Sequence, residues 1–129
     1  MPLSANAAVQ RMPEGLVEYP LAANANVYQG AMLGLSGGYA RPLQAGDVFI
    51  GIAYERVDNT GGSAGAKKVR VQIRGIFRLS GSGFSQATVG AAIYASADNA
   101  VTTTSTGNSL IGKAVKFEAA DTVWVRIAP

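Results

Sequence analysis

Val69-Arg70-Val71-Gln72-Ile73-Arg74-Gly75-Ile76-Phe77-Arg78-Leu79 is the stretch on which the reading of this chain turns. Successive side chains of a β-strand project to opposite faces, so Val69, Val71, Ile73, Phe77 and Leu79 share one face while Arg70, Gln72, Arg74, Ile76 and Arg78 share the other. The pattern predicts one half-buried strand over 69–79, its apolar face in the core. Gly75 occupies the apolar row where a side chain is missing, which marks a bend, a bulge or the close approach of another backbone. A tightly curved sheet calls for such a residue.

The same grammar runs through the rest of the chain. Short segments rich in Val, Ile, Tyr and Phe alternate with Gly, Asn, Asp or Pro, and predict strands over 15–19, 26–35, 48–54, 91–95, 100–104, 110–117 and 122–127. With 69–79 this makes an all-β chain, expected to form a small single-domain β-barrel or sandwich. At 129 residues, 48% of them hydrophobic and 16 of them glycine, it is long enough for one core and one domain. Residues 1–13 keep no period of 2 or 3.6 and close at Pro13, so they read as an extended N-terminal arm ahead of a domain over 14–129. The run Asn59-Thr-Gly-Gly-Ser-Ala-Gly-Ala66 reads as a flexible surface loop. It lacks the Gly-Lys-Ser/Thr of a phosphate loop and leads into a strand rather than a helix.

Composition removes most catalytic designs. With no cysteine there is no disulfide, thiolate nucleophile or cysteine metal site, and with no histidine the usual metal ligand and near-neutral proton carrier are gone. The eight carboxylates are dispersed, mostly near predicted strand ends, and no Asp-x-Asp-x-Asp-Gly calcium spacing occurs. No catalytic residue, cofactor, metal or small-molecule substrate is expected, and the protein reads as a non-enzyme. The opening Met-Pro-Leu-Ser-Ala-Asn has no basic stretch followed by an apolar core, and no run approaches the roughly 20 apolar residues of a membrane span. A soluble protein made in the cytoplasm is the expectation.

Candidate function therefore rests on surfaces. Arg70, Arg74 and Arg78, preceded by Lys67 and Lys68, form either a basic stripe or an ordinary solvated face. As a stripe, its best use is to pair with carboxylates of a protein partner, because guanidinium makes two-pronged contacts with them. Ile76 in the same row fits an interface patch, and single exposed apolar residues are also common. In the 122–127 strand, Trp124 and Arg126 lie opposite the apolar row of Val123, Val125 and Ile127. That pair is either a binding hot spot or, for Trp124, packing under a loop or the filling of a second core face. Nucleic acid is not favoured: the net charge is only +3, and no aromatic interleaves the basic residues of the 68–78 row for stacking.

The order of motifs in the C-terminal half carries a resemblance. Gly90-Ala-Ala-Ile-Tyr94, the Asp98-Asn99 turn, Thr102-Thr-Thr104, Gly107-Asn-Ser-Leu-Ile-Gly112 and Val123-Trp-Val-Arg-Ile127 succeed one another. Upstream come Gly30-Ala-Met-Leu-Gly-Leu35, Ala45-Gly-Asp-Val-Phe-Ile-Gly-Ile-Ala53 and Gly75-Ile-Phe-Arg-Leu79. Over about residues 14–128 this succession resembles the capsid cement, or decoration, proteins of tailed bacteriophages, a family once described only as a domain of unknown function. The turns at Asp98-Asn99 and Gly107-Asn108 predict a three-stranded meander there. The arm over 1–13 and the loop over 59–68 are longer than the family pattern. The resemblance implies a structural virion protein on the outer surface of the expanded capsid, often a homotrimer, that stabilises the shell by bridging major capsid protein subunits. The competing expectation is another virion component, from the tail or the head-completion region.

Overall fold

A computed structural model describes residues 15–129, and Ala5 ahead of them. The arm expected over 1–13 lies outside the described residues apart from Ala5. The described chain is all-β except for one 3-10 turn at Gln86–Thr88. Twelve strands follow in order: β1 (Leu16–Pro20), β2 (Asn26–Val27), β3 (Met32–Ser36), β4 (Tyr39–Pro42), β5 (Phe49–Ala53) and β6 (Val57–Asp58). Then come β7 (Lys68–Gln72), β8 (Gly75–Ser80), β9 (Ala92–Ala97), β10 (Ala100–Thr102), β11 (Ser109–Ala119) and β12 (Thr122–Ile127).

The strands form a first sheet in the order β1-β7-β5-β3-β4, a second in the order β10-β9-β11-β12-β8, and a two-stranded ribbon of β2 and β6. Every ladder is antiparallel. The second sheet curls far enough that Gly81, just past β8, bridges to Val101 on β10, so its two outer strands meet at one end. This is the small all-β domain that the strand pattern predicts.

One expectation is corrected at its centre. The stretch 69–79 is two strands in two sheets: β7 pairs with β1 and β5, whereas β8 pairs with β12. Alternation survives the break because both halves turn the same row inward, with Val69 and Val71 buried and Phe77 and Leu79 packed against the core. The chain changes sheet at Gly75, whose φ of +130° is one that L side chains rarely adopt. A strand that crosses between packed sheets at such a bend makes a corner.

Two further expectations change. Residues 26–35 are not one strand, because the Tyr28–Gly30 turn separates β2 from β3. Nor do the C-terminal strands form a meander: β10 pairs back on β9, and β11 then lies along the other side of β9. β4 escaped the sequence pattern because it carries Arg41 and Pro42, which an edge strand tolerates. It is joined to β3 by Gly37-Gly38, both at positive φ, as a two-residue hairpin turn that follows strand twist requires.

The core has two compartments. Between the sheets lie Met32, Phe49 and Ile52 from the first and Ile93, Ile111, Val123 and Val125 from the second. On the other side of the first sheet, Leu33, Ile50, Ala53, Val69 and Val71 pack with Leu21 and Val27. β5 feeds both compartments and is buried at every position. The 59–66 loop is tied down: buried Asn59 donates its side-chain amide to the carbonyl oxygens of Ala22 and Ser63, at 3.0 and 3.1 Å.

Candidate functional site

Strand pairing assembles most of the candidate residues on the outer face of the second sheet. β12 lies between β8 and β11, so its outward residues have a neighbour on each side. Lys116, Trp124 and Arg78 stand in one rank across the three strands, and Lys113, Arg126 and Ile76 stand in the next. Inward, Val123 and Val125 are fully buried, which fixes the orientation of β12 and holds Trp124 and Arg126 outward.

In the first rank one of the two cations, Arg78, has a carboxylate partner. Glu118, two residues on from outward Lys116 and so on the same face, accepts from Arg78 Nε at 3.0 Å and from Arg78 Nη2 at 2.6 Å. It also accepts from the Trp124 indole Nε1 at 3.1 Å. Hydrogen bonds from Arg78 and then from Trp124 hold the Glu118 carboxyl down at about 2. Lys116 Nζ lies over the Trp124 ring, 5.9 Å from its centroid, within cation–π range. Trp124 is thus a half-buried, oriented ring.

The second rank is different. Arg126 and Lys113 are exposed, and neither has an ion-pair partner among the described residues. Ile76 beside them is 48% exposed.

The basic row read from the sequence divides between the sheets. Arg70, on β7 of the first sheet, makes a two-pronged pair with Glu55, both bonds at 3.0 Å, and its guanidinium lies 5.0 Å from the Tyr54 ring centroid. Arg74 is exposed at the corner between β7 and β8. Ile76, Arg78, Trp124 and Arg126 are therefore brought together, and Arg70 is not. The residues that sequence reasoning missed are Lys113, Lys116 and Glu118. They lie on a strand whose pairing shifts at three irregularities, between Leu110 and Gly112, between Ala114 and Lys116 and between Phe117 and Ala119, so period-2 counting loses them.

Among the described residues no group of three or more Asp, Glu, His or Cys is placed to hold a metal. An open depression beside β10 is walled by Ser80, Ser82, Ser96, Asn99, Thr102 and Thr104, with no ionisable group in its lining. No helix among the described residues is long and apolar enough to cross a membrane.

These features define a class: a small β-structural protein whose candidate site is a charged, partly apolar sheet face. The chain belongs to the phage cement protein family, whose family description it matches over residues 8–128. No curated protein and no solved structure matches it. Family membership associates the protein with the phage capsid as a structural component of the virion.

Proposed function

We propose that this protein cements the shell of a tailed phage: it binds the outer surface of the expanded capsid, associates there as a homotrimer and bridges neighbouring major capsid protein subunits. It acts without a catalytic step or cofactor, and is made in the host cytoplasm. The observation that carries this reading is the family match over residues 8–128. The nature of the exposed site supports it, since a sheet face with Ile76, Trp124 and cations suits contact with another protein surface.

Bridging needs more than one contact surface, and the candidate residues fall on two. Ile76, Arg78, Trp124 and Arg126 form one, on the second sheet, and Arg70 with exposed Tyr54 forms the other, on the first, with Arg74 at the corner between them. In this account the arm over 1–13 precedes the domain over 14–129 and orders on a capsid subunit or a neighbouring cement subunit. The mechanism is energetic. A ligand that binds the assembled lattice and not its dissociated subunits stabilises the lattice by mass action, and simultaneous contacts add avidity.

Co-sedimentation of the purified protein with expanded, undecorated shells of its own phage tests this. Saturable binding at a fixed ratio to the capsid subunit is expected. No binding to those shells, with incorporation into tail or head-completion structures instead, would overturn it.

A further inference from the structure

The outer face of β8, β12 and β11 is lopsided in a way that structural packing does not require. Its strands carry four cations, Arg78, Lys113, Lys116 and Arg126, against one carboxylate, Glu118. That carboxylate is spent at the Trp124 end on Arg78 and the indole, and Asp121 in the β11–β12 turn also acts on Arg78 there. At the other end, Lys113 and Arg126 are register partners and Arg126 is in turn the partner of exposed Ile76. Beside them an apolar hollow of about 300 Å³ is lined by Gly90, Gly112, Ala114, Val115 and Ala128, with Lys113 and Arg126 on its rim. Two adjacent unneutralised cations, with an exposed isoleucine beside Arg126 and an apolar hollow next to both, make a surface with both charge and shape to fill.

We infer that the Lys113–Arg126–Ile76 end of this face seats an acidic segment of the major capsid protein, its carboxylates on Arg126 and Lys113, one adjoining apolar side chain in the hollow and another against Ile76. This rests on the reading of the protein as capsid-bound, and adds which face docks and what chemistry it recognises. Charge complementarity selects the occupant. A second copy is disfavoured, because pairing this face with itself sets a net charge of +3 against +3. A nucleic acid is disfavoured because the one aromatic of the face is held by Glu118 through its indole nitrogen and has Lys116 over its ring, leaving no open platform for a base, and because a carboxylate stands among the cations. A protein carboxylate meets neither obstacle, and Arg126 can take it in the two-pronged geometry already made by Arg70 and Arg78 elsewhere on the molecule.

The test uses the full chain, expanded undecorated shells, and the double variant Lys113→Glu/Arg126→Glu. A control, Thr103→Glu/Ser105→Glu, adds negative charge at exposed positions between β10 and β11, outside both candidate surfaces. All four positions are exposed or part-exposed, so both variants are expected to fold, which circular dichroism and melting verify. The expected result is that the double variant binds shells about 30-fold more weakly or worse, while the control stays within about twofold of wild type. Wild-type binding with an equally tight double variant would overturn the inference and leave the capsid-bound reading standing; failure of the wild type to bind shells would overturn both. Binding of a single-stranded oligonucleotide, or self-association in sedimentation velocity, that is lost in the double variant would also overturn it, by assigning the face to a nucleic acid or to a second copy.

Discussion

Trp124 and Glu118 meet across the β11–β12 hairpin, the indole Nε1 donating to a carboxylate oxygen at 3.1 Å while the same carboxylate holds Arg78 from the far side of β12. One acidic residue thus orients the chain's single tryptophan and neutralises its neighbour; losing its charge ends the second effect and weakens the first.

Glu118→Ala, which removes the acceptor, is therefore expected to loosen the ring. Steady-state fluorescence should show a red-shifted emission and lower anisotropy for Trp124, with the far-ultraviolet spectrum unchanged. An unaltered emission would mean that packing, rather than the Glu118 bond, fixes the indole.

The same carboxyl gives a pH signature. Its folded value is held at about 2, below the ordinary 4.5, so the unfolded chain takes up this proton first as pH falls. The stabilisation from ionised Glu118 is fully present above about 4.5 and is lost as pH falls towards 2. Melting temperatures of wild type and Glu118→Gln should differ most above pH 5 and converge towards pH 2, the difference being small because the pair is exposed. A difference that is constant across this range would contradict the assignment.

Gly51 is required by the close approach of β5 and β7. Its φ is +140°, and a Cβ there would collide with the Gln72 carbonyl oxygen and press on Val71. Gly51→Ala should destabilise the fold by about 2 kcal/mol or more in urea denaturation, from left-handed strain together with the clash. A loss below about 0.5 kcal/mol would show that the backbone relaxes there.

Burial separates the inner and outer residues of the second sheet. Ile111, fully buried between the sheets, should cost about 2–5 kcal/mol as Ile111→Ala, whereas Ile76→Ala on the outer face should stay within about 0.5 kcal/mol. Comparable losses at the two sites would contradict the inward and outward assignment of the sheet faces.

Asn59 does for its loop what sequence composition does not reveal. Asn59→Ala leaves the carbonyls of Ala22 and Ser63 without this donor and should cost about 1–3 kcal/mol, with faster proteolytic cleavage within 59–66. Unchanged cleavage would mean the backbone bonds of the loop suffice.

What the sequence made legible follows a physical boundary. Alternation is a local property, so the inward row Val69, Val71, Phe77, Leu79 and the outward placement of Trp124 and Arg126 could be read by counting. Sheet membership is non-local. Nothing in the alternation of 69–79 reveals that Arg70 pairs with Glu55 in one sheet while Arg78 pairs with Glu118 in another; only Gly75 hinted at the corner. The candidate face was half legible for the same reason. Its β8 and β12 residues sit on regular strands, whereas Lys113, Lys116 and Glu118 sit on a strand with three register irregularities. β4 was invisible because an edge position lets Arg41 and Pro42 occupy a strand without the usual apolar pattern.

The measurement that bears most directly on the cement role is the disassembly temperature of expanded, undecorated shells with increasing amounts of the purified protein. The account predicts an upward shift that saturates at a fixed ratio of protein to capsid subunit. Saturable binding that leaves the disassembly temperature where it was would contradict it, since a protein that attaches without stabilising the shell does not bridge its subunits.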